Sequence, residues 1–193
     1  RDLDLLVTQI GVGETRLFIQ DEGQFVDEAA ERGLSLDWVV RTAKVRRSEA
    51  DGDVLPLPDE LIFGATAADV DHDGDLDLFT SQWQPLETDA EGRTKSRLFL
   101  NDGEGNFEDQ SDSFGLAIDG SGFTSTFADF DGDGWEDLFF VADYGSSRLF
   151  RSTAGTGFTD VTDQANVGTD ENGMGSVVAD INGDGLLDWF VTS

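Results

Sequence analysis

One string recurs three times with little change: ADVDHDGDLDLFT from Ala68, ADFDGDGWEDLFF from Ala128 and ADINGDGLLDWFV from Ala179. Each packs acids and glycines into a few residues and then turns apolar. Like charges at such range repel by amounts comparable to the whole stability of a domain. A chain that repeats the string therefore either leaves it in water or folds it around something positive. The flanks favour the second reading, because they repeat as well.

Three further strings align on an RLF core: TRLFIQDEGQFVDEA from Thr15, SRLFLNDGEGNFEDQS from Ser96 and SRLFRSTAGTGFTDVT from Ser147. Each reads as a strand, a Gly-rich turn and a second short strand beginning at Phe25, Phe107 or Phe158. A loop follows, then a strand of small residues, FGATAAD, GFTSTFAD or GMGSVVAD, which runs into the acidic string. The acids give way to an apolar strand, LDLFTS, EDLFFVA or LDWFVTS. β-branched and aromatic residues bounded by Gly, Asp and Asn are strand and turn signals. The unit is thus about four strands with a carboxylate loop between two of them.

Asp69 to Asp129 spans 60 residues and Asp129 to Asp180 spans 51. The opening RDLDLLVTQ matches GDLDLFTSQ, which pairs Asp4 with Asp77, 73 residues on. The longer first period comes from an insertion at about 38–61 that carries Arg41, Lys44, Arg46 and Arg47, read as a solvated excursion. The repeats divide as 1–68, 69–128, 129–179 and the start of a fourth at 180–193. Four-stranded sheets repeating at this spacing predict an all-β fold of β-propeller-type blades. About three repeats are present, as expected for a partial propeller or a fragment of a larger one.

The 193 residues carry 12 Lys plus Arg against 41 Asp plus Glu, a formal charge of −29. That balance repels nucleic acid and anionic membrane surfaces. Disorder fits badly with 15 Phe and 4 Trp spread along the chain. No apolar run is long enough to predict a membrane span. The chain has no Cys and one His, so thiolate and multi-histidine metal sites are excluded. The histidine, His72, reads as a solvated loop residue.

Hard cations take oxygen ligands, and Ca²⁺ takes about 6–8 of them. Asp at loop positions one, three and five converges when the loop curls, and Gly at position six permits the turn. A carbonyl at position seven and a carboxylate at position nine complete the shell. The first loop then offers Asp69, Asp71, Asp73, the Asp75 carbonyl and Asp77. The second offers Asp129, Asp131, Asp133, the Trp135 carbonyl and Asp137. The third offers Asp180, Asn182, Asp184, the Leu186 carbonyl and Asp188. The truncated opening keeps only Asp4 and the Asp2 carbonyl, so no complete site is expected there. An EF-hand needs a bidentate Glu at position twelve between two helices; Thr80, Phe140 and Val191 stand there, and the flanks read as strands. The expectation is about three Ca²⁺ sites.

At these residues the chain resembles the FG-GAP/VCBS repeats of integrin-alpha-type β-propellers. The strings LFLNDGEGNFED, FTDVTDQANV and GMGSVVADINGDG are similar in wording to ASPIC/UnbV-type proteins, the group that includes cartilage acidic proteins. The resemblance implies a propeller with Ca²⁺ in loops between blade strands, in extracellular or cell-surface proteins. Arg1 stands where the other loops have Gly, and Asn182 replaces an Asp, losing charge more than ligands.

Phe18, Phe99 and Phe150 recur at blade spacing, as do Phe25, Phe107 and Phe158, and are assigned to packing between sheets. Phe79, Phe139 and Trp189 are expected between blades. No Cys nucleophile exists, His72 has no Ser–Asp setting, and the well-spaced carboxylate pairs fall in the metal loops, so no enzyme is expected. The reading is an extracellular calcium-binding scaffold for adhesion, protein interaction or self-assembly through exposed blade edges. The alternatives are a glycan-binding module using Trp83 and Tyr144, or a non-catalytic part of a polysaccharide-degrading enzyme.

Overall fold

A computed structural model of the chain describes residues 4–8, 15–34, 61–83 and 95–193. The insertion with Arg41, Lys44, Arg46 and Arg47 lies outside the described residues, as do Arg1 and Asp2.

Every sheet is antiparallel, and its strands follow chain order. The first sheet holds β1 (Leu5–Val7), β2 (Arg16–Asp21) and β3 (Gln24–Asp27). The second holds β4 (Leu61–Ala68), β5 (Asp77–Trp83), β6 (Arg97–Asn101) and β7 (Phe107–Asp109). The third repeats it with β8 (Gly122–Ala128), β9 (Asp137–Ala142), β10 (Arg148–Ser152) and β11 (Phe158–Asp160). The last comprises β12 (Gly175–Ala179) and β13 (Asp188–Thr192). The protein is all-β with propeller-like blades, as the repeats predict. Counted by sheets, each blade begins one strand before the acidic loop.

Period-two alternation sends side chains to opposite faces of each sheet. Leu138, Phe140 and Phe150 of the third sheet share a buried cluster with Phe79 and Leu98 of the second. The other face of the third sheet, through Phe139 and Leu149, packs on Val178 and Trp189 of the last. Phe99 and Leu78 face back to Leu17 and Leu6 of the first sheet. Phe79 meets Phe140 edge-on at 6.2 Å, and Phe139 meets Trp189 at 5.2 Å. The aromatic repeat is therefore the glue between adjacent sheets.

Phe25 departs from that scheme and is 53% exposed. Its counterparts Phe107 and Phe158 pack toward the preceding sheet. Among the described residues no sheet precedes the first one to cover Phe25.

Equivalent bulges interrupt the β4–β5 register between Ile62 and Gly64 and the β8–β9 register between Gly122 and Thr124. They turn Phe63 and Phe123 toward each other, centroids 4.8 Å apart, and Trp83 closes the group at 6.1 Å from Phe63. Gly122 is required here for space: a Cβ would lie 2.5 Å from the Phe140 ring, which is fully buried. Gly122→Ala should lower the unfolding free energy by roughly 1–3 kcal/mol through overpacking, read by urea denaturation.

Two single-turn helices, α1 (Ser111–Phe114) and α2 (Thr162–Ala165), occupy segments that read as loop. Each follows an aspartate that fixes its entry, Asp109 Oδ1 accepting from Ser111 N and Asp160 Oδ1 from Thr162 N, both at 3.0 Å. The same aspartates face the Arg of the RLF strand, Arg97–Asp109 at 3.7 Å and Arg148–Asp160 at 3.1 Å. Arg16–Asp27 repeats the pair at 2.8 Å. The recurring RLF arginine and F-x-D aspartate were visible in the sequence, but their pairing was not.

Candidate metal centre

Each acidic loop closes the hairpin between the first two strands of a blade. The closing pairs are Ala68↔Asp77, Ala128↔Asp137 and Ala179↔Asp188. The aspartate at position one grips the glycine at position six: Gly74 N donates to Asp69 Oδ2 at 3.1 Å, Gly134 N to Asp129 Oδ2 at 2.9 Å and Gly185 N to Asp180 Oδ2 at 2.9 Å. These glycines sit at φ +102°, +92° and +87°, where a side chain is strained.

Position nine does a second job that spacing alone does not reveal. Asp77 accepts from Val70 N through Oδ2 and from Asn101 N through Oδ1, both at 2.9 Å. Asp137 does the same with Phe130 N at 3.0 Å and Ser152 N at 2.8 Å. One carboxylate thus ties the loop to the third strand of its own sheet. Asp4 accepts from Gln20 N at 3.0 Å, the same bond one blade earlier, which bears out its pairing with Asp77. Asp188 keeps the loop half of the pattern, accepting from Ile181 N at 2.9 Å.

The structure draws Asp69, Asp71 and Asp77 together, and likewise Asp129, Asp131 and Asp137, with one carboxylate oxygen from each within 4.8 Å of the others. Asp73 and Asp133 are not in these groups. Their Oδ1 atoms accept from the N–H of Asp75 at 3.0 Å and of Trp135 at 2.9 Å. Leu186 N donates in the same way to Asp184 Oδ1 at 2.9 Å. In the third loop Asn182 stands for the middle acid, so two aspartates, Asp180 and Asp188, occupy the positions that converge elsewhere.

Burial pushes the Asp77 carboxyl up to about 6, against the N–H groups of Asn101 and Val70 that favour its charged form; Asp71 and Asp73 add repulsion. Asp137 is pushed up to about 6 by burial as well, opposed by Ser152 and Phe130 and reinforced by Asp131 and Asp133. Asp77 and Asp137 are almost wholly buried. The first loop has a further feature. Asp69 Oδ1 is buried and has no hydrogen-bond partner, whereas Asp129 Oδ1 accepts from Gly132 N and Asp133 N at 2.8 and 3.1 Å. An orphaned buried carboxylate oxygen beside two further acids is a donor set for a hard cation. The residues therefore fit Ca²⁺ by donor chemistry.

His72, read as a solvated loop residue, has partners. It stacks on Trp135 of the next loop and meets Glu136. Trp83 is also committed, its Nε1–H donating to Asp143 Oδ2 at 2.9 Å while its ring packs on Phe63 and Phe123. Tyr144 is exposed.

Antiparallel blades joined face to face by aromatic residues, with an acidic loop in the same hairpin of three of the four sheets, define a propeller-type repeat protein. Residues 88–140 and 129–191 each match the FG-GAP-like repeat family, and this chain belongs to that family. The two matches overlap across the second loop, and the later one also takes in the third. The match is to this repeat and does not extend to the finer ASPIC/UnbV wording. A comparison with curated proteins returns no match.

Proposed function

We propose that the chain is a calcium-binding scaffold segment of an extracellular or cell-surface protein, non-enzymatic, that presents blade surfaces for adhesion, protein interaction or association with further copies. FG-GAP-like repeats support the interaction role. Among the described residues no helix is long and apolar enough to cross a membrane.

The observation that carries the calcium reading is Asp69 Oδ1, buried and unpartnered beside Asp71 and Asp77. Asp69, Asp71 and Asp77 would hold one ion and Asp129, Asp131 and Asp137 a second, with Asp180, Asn182, Asp184 and Asp188 offering a third. Bound calcium would supply the positive charge that these carboxylates lack. Mg²⁺ is disfavoured because it demands near-octahedral geometry and retains its water.

Calorimetric titration of chelator-stripped protein with CaCl₂ should give saturable binding to at least two sites. Asp71→Ala should remove one of them. A flat titration, or an unchanged stoichiometry in Asp71→Ala, would count against the reading.

A further inference from the structure

We propose that the first and second acidic loops are coupled, so that a cation bound at one raises the affinity of the other through a clasp of His72, Trp135 and Glu136. This rests on the calcium reading above and adds a regulation to it.

The clasp joins two blades at their metal loops. The His72 imidazole lies over the Trp135 indole with centroids 3.9 Å apart and planes within 11°. Its Nε2 meets Glu136 Oε2 at 3.2 Å. Each member adjoins an atom assigned to a site. His72 stands between Asp71 and Asp73, Trp135 supplies the carbonyl at position seven, and Glu136 precedes the buried Asp137. The hairpin after β10 closes over the same contact. Gly155, at φ +71°, leaves room for the Trp135 ring on one side and the Asp71 backbone on the other, where a Cβ would lie 3.1 Å from the Asp71 Cα.

The first loop departs from its sisters at the residue that reaches across. Position four is left-handed in all three loops: His72 at φ +59°, Gly132 at +75° and Gly183 at +79°. Glycine adopts that backbone freely, whereas a side chain there is strained. The chain tolerates the strain at the one loop whose neighbour offers an indole at position seven. The next pair has no such contact, since Gly132 has no ring and Leu186 is exposed.

The direction of the coupling follows from ordering. A cation at the second loop fixes the Trp135 backbone and with it the indole, which holds His72 and the flanking Asp71 in place. The first loop then has less freedom to lose when it binds. Coupling free energies of this sort correspond to affinity changes of about 5–150-fold, and they are reciprocal.

The test uses the ¹⁵N-labelled chain titrated with CaCl₂, with the Gly74 and Gly134 amides reporting the first and second loops separately. Asp131→Ala, which silences the second loop without touching the buried Asp137, should weaken binding at Gly74 about tenfold. Asp71→Ala should weaken binding at Gly134 by the same factor. In His72→Gly, which installs the residue of the sister loops, both effects should vanish. Silencing the third loop by Asp180→Ala should leave Gly134 unchanged. Unchanged Gly74 affinity in Asp131→Ala, or an equal loss with His72→Gly in place, overturns the coupling and leaves calcium binding standing. So does weakening of Gly134 by Asp180→Ala. Failure of both amides to respond in the parent chain overturns the calcium reading itself.

Discussion

In chelator, the protein should lose on the order of 3 kcal/mol of stability for each of Asp77 and Asp137 as the pH rises from about 4 to above 6. Burial lifts both carboxyls from the ordinary 3.8 to about 6 in the folded chain. The folded state therefore holds these two protons more tightly than the unfolded state does. Their contribution is complete below pH 3.8, declines as the pH passes through about 6, and is lost above it. Two other acids act in the opposite sense. Asp160 is raised by burial, but hydrogen bonds from Thr162 and Arg148 outweigh that and leave it lowered. Asp102 is lowered by the side chain and backbone of Asn106. What they contribute is present above pH 3.8 and fades as the pH falls below it. The metal-free protein should thus be most stable near pH 4, an unusual optimum for a globular domain. Saturating calcium should reverse the slope between pH 4 and 6, because the ion binds the charged carboxylates that burial disfavours. Urea denaturation at pH 4, 5, 6 and 7, in chelator and in calcium, measures both curves. Equal metal-free stability at pH 4 and 7 would contradict the burial of these two acids.

Asp137→Ala should lower stability by about 3–5 kcal/mol at pH 5. The substitution removes the acceptor for Phe130 N and Ser152 N together, and each buried N–H left unpaired costs about 1–3 kcal/mol. Asp137→Asn keeps one acceptor oxygen and cannot ionise, so its loss should be about half as large and should shrink further toward pH 7 in chelator, where the parent carries the disfavoured charge. Asp131→Ala, on the exposed side of the same loop, should stay within about 0.5 kcal/mol of the parent without metal. The contrast separates the loop acid that anchors the sheet from the one that the proposed calcium site would use without that anchoring role. Chemical denaturation of the three variants in chelator reads it directly, and similar losses for Asp131→Ala and Asp137→Ala would refute the division.

The strands, their order and the loop positions were legible because they rest on local, repeated signals. Small-residue strands, acidic loops and RLF hairpins each carry their own pattern, and Asp4 could be paired with Asp77 from wording alone. The convergence of Asp69, Asp71 and Asp77 was legible for the same reason, since a glycine-hinged loop between two paired strands has few ways to curl. Asp73 and Asp133 illustrate the limit. Alternation placed them with their neighbours, and the structure leaves both outside the converged groups. The cap on a backbone N–H two residues on does not set them apart, because Asp71 and Asp131 make the same bond and still converge.

The sequence by itself determined the blade repeat, the aromatic positions that recur with it and the loops that gather acid, because each is a property of neighbours along the chain. Only the tertiary structure decided which faces are covered and which residues meet across blades. Phe25 and Phe107 share a sequence position, yet Phe25 is exposed and Phe107 packs toward the preceding sheet. Trp83 spends its N–H on Asp143 in the next blade, and His72 finds the indole of a loop more than sixty residues away. Burial and stacking depend on what an adjoining sheet brings near, and no window of local sequence contains that.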